Sequence, residues 1–312
     1  MQEKKLENNM VDVSIIVPCY NEEKNVENFI KTLNKNFKGK IKNYEVIFVN
    51  DGSKDNTLKK LEKSINENMK IINFSKNFGK ESAMFAGLKE ANGRYVAIID
   101  ADLQQNPKYL LDMKKILDEH LEYDEVAAYQ EKRKEKFLIK FLKTKFYKVM
   151  SEQTNLDVGK TTSDFRMFRR NVLEAVLSLS EKSRFSKGIF AYVGFNIFYM
   201  PYQVKEREHG KSTWNLSKLF NYAINGITDF SVKPLLWQIK FGIFQLIVSI
   251  ILLIIFACNR LNSAWIVFAI ILIVTAIQNI LSGINNFYVG KILIETKDRP
   301  TYIIKDIIKG KK

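Results

Sequence analysis

Four short apolar runs in the first third of the chain, each stopping at a cluster of acids, amides, glycine or proline, set the narrowest limits on its fold. "VSIIV" (13–17) stops at "PCYNEE", "YEVIFV" (44–49) at "NDGSKDNT", "IINFS" (71–75) at "KNFGKESAMFAGLKEA", and "RYVAII" (94–99) at "DADLQQNP". Runs of this length, rich in Val and Ile, read as strands. Segments between them, such as "NVENFIKTL", carry apolar residues at helical spacing. Strand, helix, strand in this rhythm predicts an α/β domain with a mostly parallel sheet. In such sheets ligands bind beyond the carboxyl ends of the strands. The residues gathered at those ends become candidates for one crevice: Pro18, Tyr20, Asn21 and Glu22, then Asp51, Gly52 and Ser53, then Asn77, Gly79 and Lys80, then Asp100 and Asp102. The chain has neither a G-x-G-x-x-G nor a Walker lysine motif, which excludes the usual dinucleotide and P-loop readings.

Asp100 and Asp102 close the fourth run one residue apart. Two carboxylates this close repel and call for a cation between them or a shared proton. Oxygen donors without His or Cys suit magnesium or manganese, with substrate phosphates completing the coordination. A metal there would neutralise a diphosphate leaving group. The plainer alternative is that one or both acids cap the following helix.

Charge narrows the partners. The 49 Lys and Arg outnumber the 34 Asp and Glu, a net charge of +15. That excess suits a nucleic acid, an anionic lipid or a phosphorylated substrate, or else it is a solvated lysine-rich surface. The lysines are spread along the chain and no nucleic-acid motif is present, so nucleic acid is not expected as a partner. Cys19 and Cys258 form neither a disulfide framework nor a zinc spacing, which fits a reducing compartment. The polar start "MQEKKLENNM" lacks the apolar core of a signal peptide.

Residues 241–257 and 264–284 carry no charge, and "CNRLNS" alone separates them. Each run has about the length that crosses a ~30 Å hydrocarbon core. They are expected to form a two-helix transmembrane hairpin. Lys233 and Lys240 precede it, and Lys291, Lys297, Arg299, Lys305, Lys309, Lys311 and Lys312 follow it. The connecting turn has only Arg260, so both termini and the large N-terminal region are expected on the cytoplasmic side of the plasma membrane. Gln245, Gln278 and Asn279 inside the runs suit helix association, within or between subunits, which permits a homo-oligomer. Two further stretches, 134–150 and 214–235, are basic or amphipathic and read as helices lying on an anionic bilayer, with an ordinary helix packed on the sheet as the alternative for 134–150.

Together, "SIIVPCYNEEKNV", "VNDGSKDNT", "NFGKESAMFAGLKEANG" and "IIDADLQQNP" resemble glycosyltransferase family 2. "TTSDFRMFRR" (161–170) and "REHGKSTW" (207–214) resemble its polyprenyl-phosphate branch, which includes dolichol-phosphate mannose synthases and bacterial undecaprenyl-phosphate glucosyltransferases. The resemblance implies a GT-A type nucleotide-sugar-binding domain over residues 1–212, interfacial helices over 213–238, the hairpin over 239–290 and a basic tail over 291–312. It implies metal-dependent, inverting transfer of one sugar from a nucleotide-sugar donor to a polyprenyl phosphate, for modification of a cell-envelope glycan. UDP-glucose or UDP-N-acetylglucosamine is the expected donor, with GDP-mannose as the alternative. A processive polysaccharide synthase would carry a Gln-x-x-Arg-Trp motif and more spans, and this chain has neither.

Residue by residue, the resemblance puts Pro18, Tyr20, Asn21 and Glu22 around the nucleoside, with Asp51 and Ser53 on base and ribose. Asp100 and Asp102 face the diphosphate through magnesium or manganese, Gln104 supports them, and Lys80 lies among the donor-binding residues. Asp164 matches an acid near the reacting centre, Arg133 a basic loop position, and Arg207, Lys211 and Ser212 a basic motif near the phosphates. The chain departs from the family pattern in three places. Thr162 and Ser163 precede the Asp-Phe-Arg, lysines replace a second arginine near Arg133, and Gln105 and Asn106 stand where an acid usually follows "DLQ".

Overall fold

The computed structural model describes residues 11–130, 164–203 and 264–310, apart from 42 and 183, with isolated positions between 241 and 251. The chain divides into two compact units, residues 1–219 with 300–312, and residues 220–299.

The first unit is built on one eight-stranded sheet in the order β7 (Ile197–Tyr202), β5 (Glu125–Gln130), β6 (Arg166–Arg169), β4 (Tyr95–Ile98), β1 (Val13–Cys19), β2 (Tyr44–Asn50), β3 (Met69–Phe74), β8 (Ile304–Lys309). Its centre is parallel. β1 (Val13–Cys19) lies between β2 (Tyr44–Asn50) and β4 (Tyr95–Ile98), and β3 (Met69–Phe74) extends the run beyond β2. β1 is buried along almost its whole length, as an interior strand covered on both faces must be. The alternation of strands and helices predicted this centre, with strand limits shifted by a residue or two.

Helices α1 (Val26–Phe37), α2 (Thr57–Ser64), α3 (Lys80–Lys89) and α4 (Tyr109–Glu119) connect or follow these strands. In α1 the buried residues are Val26, Phe29, Ile30, Leu33 and Phe37, the one-sided spacing that seats a helix on a sheet. Phe29 meets Phe48 of β2 edge-on at 6.1 Å. α3 differs, since six consecutive residues from Ala83 to Leu88 are buried. Gly87 lets it approach β1 closely, because a Cβ there would strike the Ile16 side chain.

On one flank β6 (Arg166–Arg169) pairs antiparallel with both β4 and β5 (Glu125–Gln130), and β7 (Ile197–Tyr202) pairs parallel with β5. α5 (Arg170–Ser178) and α6 (Ser186–Val193) lie between β6 and β7 in the chain. Arg166 and Glu125 join β6 to β5 by a 2.7 Å ion pair, with both side chains 1% exposed. Arg166 also stacks over the Phe190 ring at 4.1 Å. A charge pair this deep repays its desolvation only through close geometry.

The opposite edge departs from expectation. Residues 291–312 read as a basic tail, yet Ile304–Lys309 form β8, antiparallel to β3. Its pattern of exposed and half-buried residues is that of an edge strand. Lys305 and Lys309, two of the lysines that suggested a tail, are exposed along a strand whose backbone is paired.

In the second unit the later charge-free run lies within α7 (Ala264–Thr296). Among the described residues no helix is long and apolar enough to cross a membrane. Most of the earlier run lies outside the described residues, as do several side chains of the later one and the stretches 134–150 and 214–235.

Candidate active site

The carboxyl ends of β1, β2 and β3 are tied into one platform by hydrogen bonds between their loops. Asn21 has a left-handed backbone, φ 57°, unusual outside glycine. Its N–H donates to Ser53 Oγ at 3.0 Å, and its Oδ1 accepts from the Lys54 N–H at 2.9 Å. The Glu22 N–H donates to Thr57 Oγ1 at 2.8 Å, and the Glu23 N–H to Asp55 Oδ2 at 3.2 Å. Asp51 lies 2% exposed. Its Oδ1 accepts from the Phe78 N–H at 2.7 Å, and its Oδ2 from the Gly79 N–H and Asn77 Nδ2, both at 2.9 Å. Burial pushes the Asp51 carboxyl up, and the amides of Phe78 and Gly79 partly offset this. Gly52, at φ 59°, lets the loops meet, because a Cβ there would run into the backbone of Lys76 and Asn77. Tyr20 stands 41% exposed at the rim, next to Pro18 at the end of β1.

The end of β4 is organised differently. Lys80, the first residue of α3, places Nζ 2.7 Å from Asp100 Oδ1 and 3.0 Å from Asp164 Oδ2. One ammonium thus joins three chain segments. Desolvation would lower the Lys80 pKa, but weakly for a side chain that keeps 44% of its surface exposed, and Asp100 and Asp164 raise it well above the ordinary lysine range. Burial likewise works against the Asp164 carboxylate, yet Lys80, Lys187 and Arg166 hold it well below the ordinary range. Beside it, Glu81 is pushed up to about 7, by burial first and then by the Asp164 charge. Glu81 Oε2 accepts from both the N–H, at 3.1 Å, and the hydroxyl of Ser186, at the start of α6.

Gln105 and Asn106, the departures in the sequence, have structural roles. The Asp100 N–H donates to Gln105 Oε1 at 3.0 Å, and Gln105 Nε2 reaches Asp100 Oδ2 at 3.4 Å. Only an amide can accept from the one and donate to the other; an ionised acid there would repel Asp100. Asn106 Oδ1 accepts from the Lys108 N–H at 3.0 Å and turns the chain into α4. Asp102 Oδ1 accepts from the Gln104 N–H at 3.1 Å, across a turn in which Leu103 has φ 59°.

The structure therefore gathers Pro18, Tyr20, Asn21, Glu22, Asp51, Ser53, Lys80, Asp100, Asp102, Gln104 and Asp164 around the strand ends. Arg133, Arg207, Lys211 and Ser212 lie outside the described residues. Among the described residues no group of three or more His, Cys, Asp or Glu side chains forms a metal cage. The donors that Asp100 and Asp102 present are carboxylate oxygens, with Asp100 shared between Lys80 and Gln105 and Asp102 Oδ1 accepting from the Gln104 N–H, and oxygen donors are the kind magnesium or manganese takes. Sequence reasoning missed Glu81 and Gln105, whose partners lie across a turn or on another helix and leave no mark of spacing.

Residues 14–177 match Glycosyl transferase family 2. The chain belongs to that family. CsbB of Bacillus subtilis, named as a glycosyltransferase, is 38% identical, over 94% of this chain and 91% of that one. The SfII prophage-derived bactoprenol glucosyl transferase of Shigella flexneri is 34% identical, over 96% of this chain and 99% of its own. Among solved structures, glucosyl-3-phosphoglycerate synthase of Mycobacterium tuberculosis, in complex with Mn2+, UDP and glucosyl-3-phosphoglycerate, superposes with a TM-score of 0.53. That match covers 72% of this chain and 80% of the synthase at 16% identity, and it establishes a GT-A-like α/β fold. The same synthase has also been crystallised with Mg2+ and UDP.

Proposed function

We propose that the protein transfers one sugar, from UDP-glucose or UDP-N-acetylglucosamine, to undecaprenyl (polyprenyl) phosphate with inversion at the anomeric carbon. The observation that carries this reading is the meeting of Lys80, Asp100 and Asp164 at the end of β4, next to the loop platform. The near full-length similarity to a bactoprenol glucosyl transferase supports the lipid acceptor. The UDP in the solved synthase supports the donor class.

A lipid phosphate oxygen forms the new bond to the anomeric carbon. The bond from that carbon to the donor diphosphate breaks, and its electron pair leaves with the nucleoside diphosphate. The second pKa of a phosphate monoester is about 6, so the acceptor arrives mostly ionised and needs no strong base. Asp164 suits that requirement, because a carboxylate held well below its ordinary range is a poor proton acceptor. Its role is to orient the acceptor or the sugar hydroxyls, while Lys80 sets positive charge beside the departing diphosphate. Asp100 and Asp102 would hold magnesium or manganese, which supplies further neutralisation of the diphosphate when bound. Arg207, Lys211, Ser212 and Arg133 are assigned to acceptor and donor phosphates.

The two charge-free runs are proposed to form a hairpin in the plasma membrane, with the catalytic unit on the cytoplasmic side, where the lipid acceptor is at hand. The test is a panel of radiolabelled nucleotide sugars incubated with membranes containing the protein and undecaprenyl phosphate. Label from a UDP-sugar should enter the lipid phase as a single-sugar product. Incorporation from GDP-mannose alone would replace the donor assignment, and a product that grows beyond one sugar would replace single transfer with processive synthesis.

A further inference from the structure

The loop that delivers Lys80 is held from two sides. On one side Asp51 binds Asn77, Phe78 and Gly79, the three residues before Lys80. On the other stands the C-terminal segment, more than two hundred residues later in the chain. Tyr302 stacks on Phe74, the last residue of β3, at 5.0 Å and an interplanar angle of 10°. It also meets Phe85 of α3 edge-on at 6.3 Å, and Phe74 in turn meets Phe78 at 5.8 Å. The Ser75 N–H donates to the Ile303 carbonyl at 3.0 Å, and Ser82 Oγ to the Thr301 carbonyl at 3.1 Å. Below these contacts Asp306 accepts from Asn73 Nδ2 at 2.7 Å, and Asn73 Oδ1 accepts from Asn50 Nδ2 at 2.8 Å. Asn50 immediately precedes Asp51, so this polar row runs from the edge strand to the donor platform. Asp306 also fixes its direction, since a carboxylate only accepts and so turns the Asn73 amide, then the Asn50 amide, one way.

We propose that Tyr302 and Asp306 are positioning residues for the transfer reaction: the C-terminal strand holds the β3–α3 loop so that Lys80 reaches Asp100 and Asp164 together. The ammonium bridges two acids on different elements, so a small drift of α3 breaks one contact before the other. Misplacement by about 1 Å is enough to cost up to ~100-fold in rate. The inference rests on the function proposed above, and it makes the segment 301–309 part of the catalytic unit.

The test uses full-length protein carrying Tyr302→Ala, Tyr302→Phe or Asp306→Leu. Hydrogen exchange reads the loop directly, without reference to catalysis. In Tyr302→Ala the Phe78 and Gly79 amides should exchange about tenfold faster while β1 amides stay unchanged. Kinetics reads the consequence, with kcat/KM for the nucleotide sugar falling about tenfold and KM for the lipid acceptor unchanged. Tyr302→Phe keeps the stack and should restore both readouts. Asp306→Leu should act in the same direction through Asn73. Should Tyr302→Ala fold poorly, Asp306→Leu carries the test by both readouts, because it leaves the side chains of the β3–α3 loop itself untouched. Unchanged exchange at Phe78 and Gly79 overturns the inference, as does a loss of activity that active-site titration traces wholly to a smaller fraction of active protein. A wild type that moves no sugar, with the exchange effect present, sinks the functional reading and leaves the positioning role standing.

Discussion

The two halves of the crevice are held together by different forces. At the ends of β1, β2 and β3, most contacts are short directional hydrogen bonds from backbone amides to Ser53, Thr57, Asp55 and Asp51. At the end of β4, opposed charges do the holding, with Lys80 between Asp100 and Asp164 and Glu81 close by. Directional bonds specify a shape through fixed donor and acceptor positions. A charge cluster specifies a balance, and removing one member redistributes the rest. A nucleoside pocket needs the first kind of order. A centre where a diphosphate departs needs the second, because charge itself changes during the reaction.

Changes at the charged end should produce the largest effects, on turnover and not on folding. Asp102→Asn should leave the sheet intact and cut metal-dependent transfer by about 10²–10³-fold. Wild-type-like turnover would remove Asp102 from the metal site. Lys80→Met should cost about 100-fold and expose the balance. Without the ammonium, burial weighs more heavily on Asp164, so its carboxyl should titrate at higher pH in an NMR titration of the free protein. A titration that stays in place would show that Lys80 does not control Asp164.

The bonded half should respond in stability. Gly52→Ala combines a left-handed backbone with a collision against Lys76 and Asn77, and should cost about 2–4 kcal/mol in urea unfolding. A loss below about 0.5 kcal/mol would mean that the two loops can separate without penalty. Ser53→Ala removes one acceptor for the Asn21 amide and should cost only about 0.5–1.5 kcal/mol, with a modest rise in donor KM.

The subtlest contrast is in pH dependence. The Glu81 pKa is raised from 4.5 to about 7, so between those values the folded state binds more protons than the unfolded state. Stability linked to Glu81 is therefore full below about pH 4.5 and lost as pH rises through about 7. The groups acting on it are Asp164, Lys80 and Ser186, and its own charge acts on Arg184. Glu81→Gln should flatten that slope in denaturation measured from pH 5 to pH 8, since an amide oxygen still accepts from Ser186. An unchanged slope would assign the pH dependence to another group. Asp164 has the opposite sign. Its carboxylate, held below its ordinary 3.8, contributes stability at neutral pH that disappears only in strong acid.

Much of the crevice was legible in the sequence because it is built from local signals. An apolar run ending in Pro-Cys-Tyr-Asn, or in Asn-Asp-Gly-Ser, marks where a strand stops and which polar groups lie there. The parallel order of the central strands followed from the helical spacing between them. Less legible were groups whose partners are distant in the chain. Gln105 looked like a missing acid until its amide was found bonded on both sides of Asp100. Residues 304–309 looked like a charged tail because an edge strand is paired through its backbone, which leaves no periodic apolar face to read.

By itself, then, the sequence determined the α/β class, the four strand-end clusters, the acidic pair and the family resemblance. Each of these rests on neighbours along the chain or on fixed spacing. Only the tertiary structure decided that Lys80 bridges Asp100 and Asp164, that Asp51 grips the loop before Lys80, and that the chain's last strand completes the sheet beside it. Those are contacts between residues tens to hundreds of positions apart. Their energies depend on distance and burial, which packing alone sets.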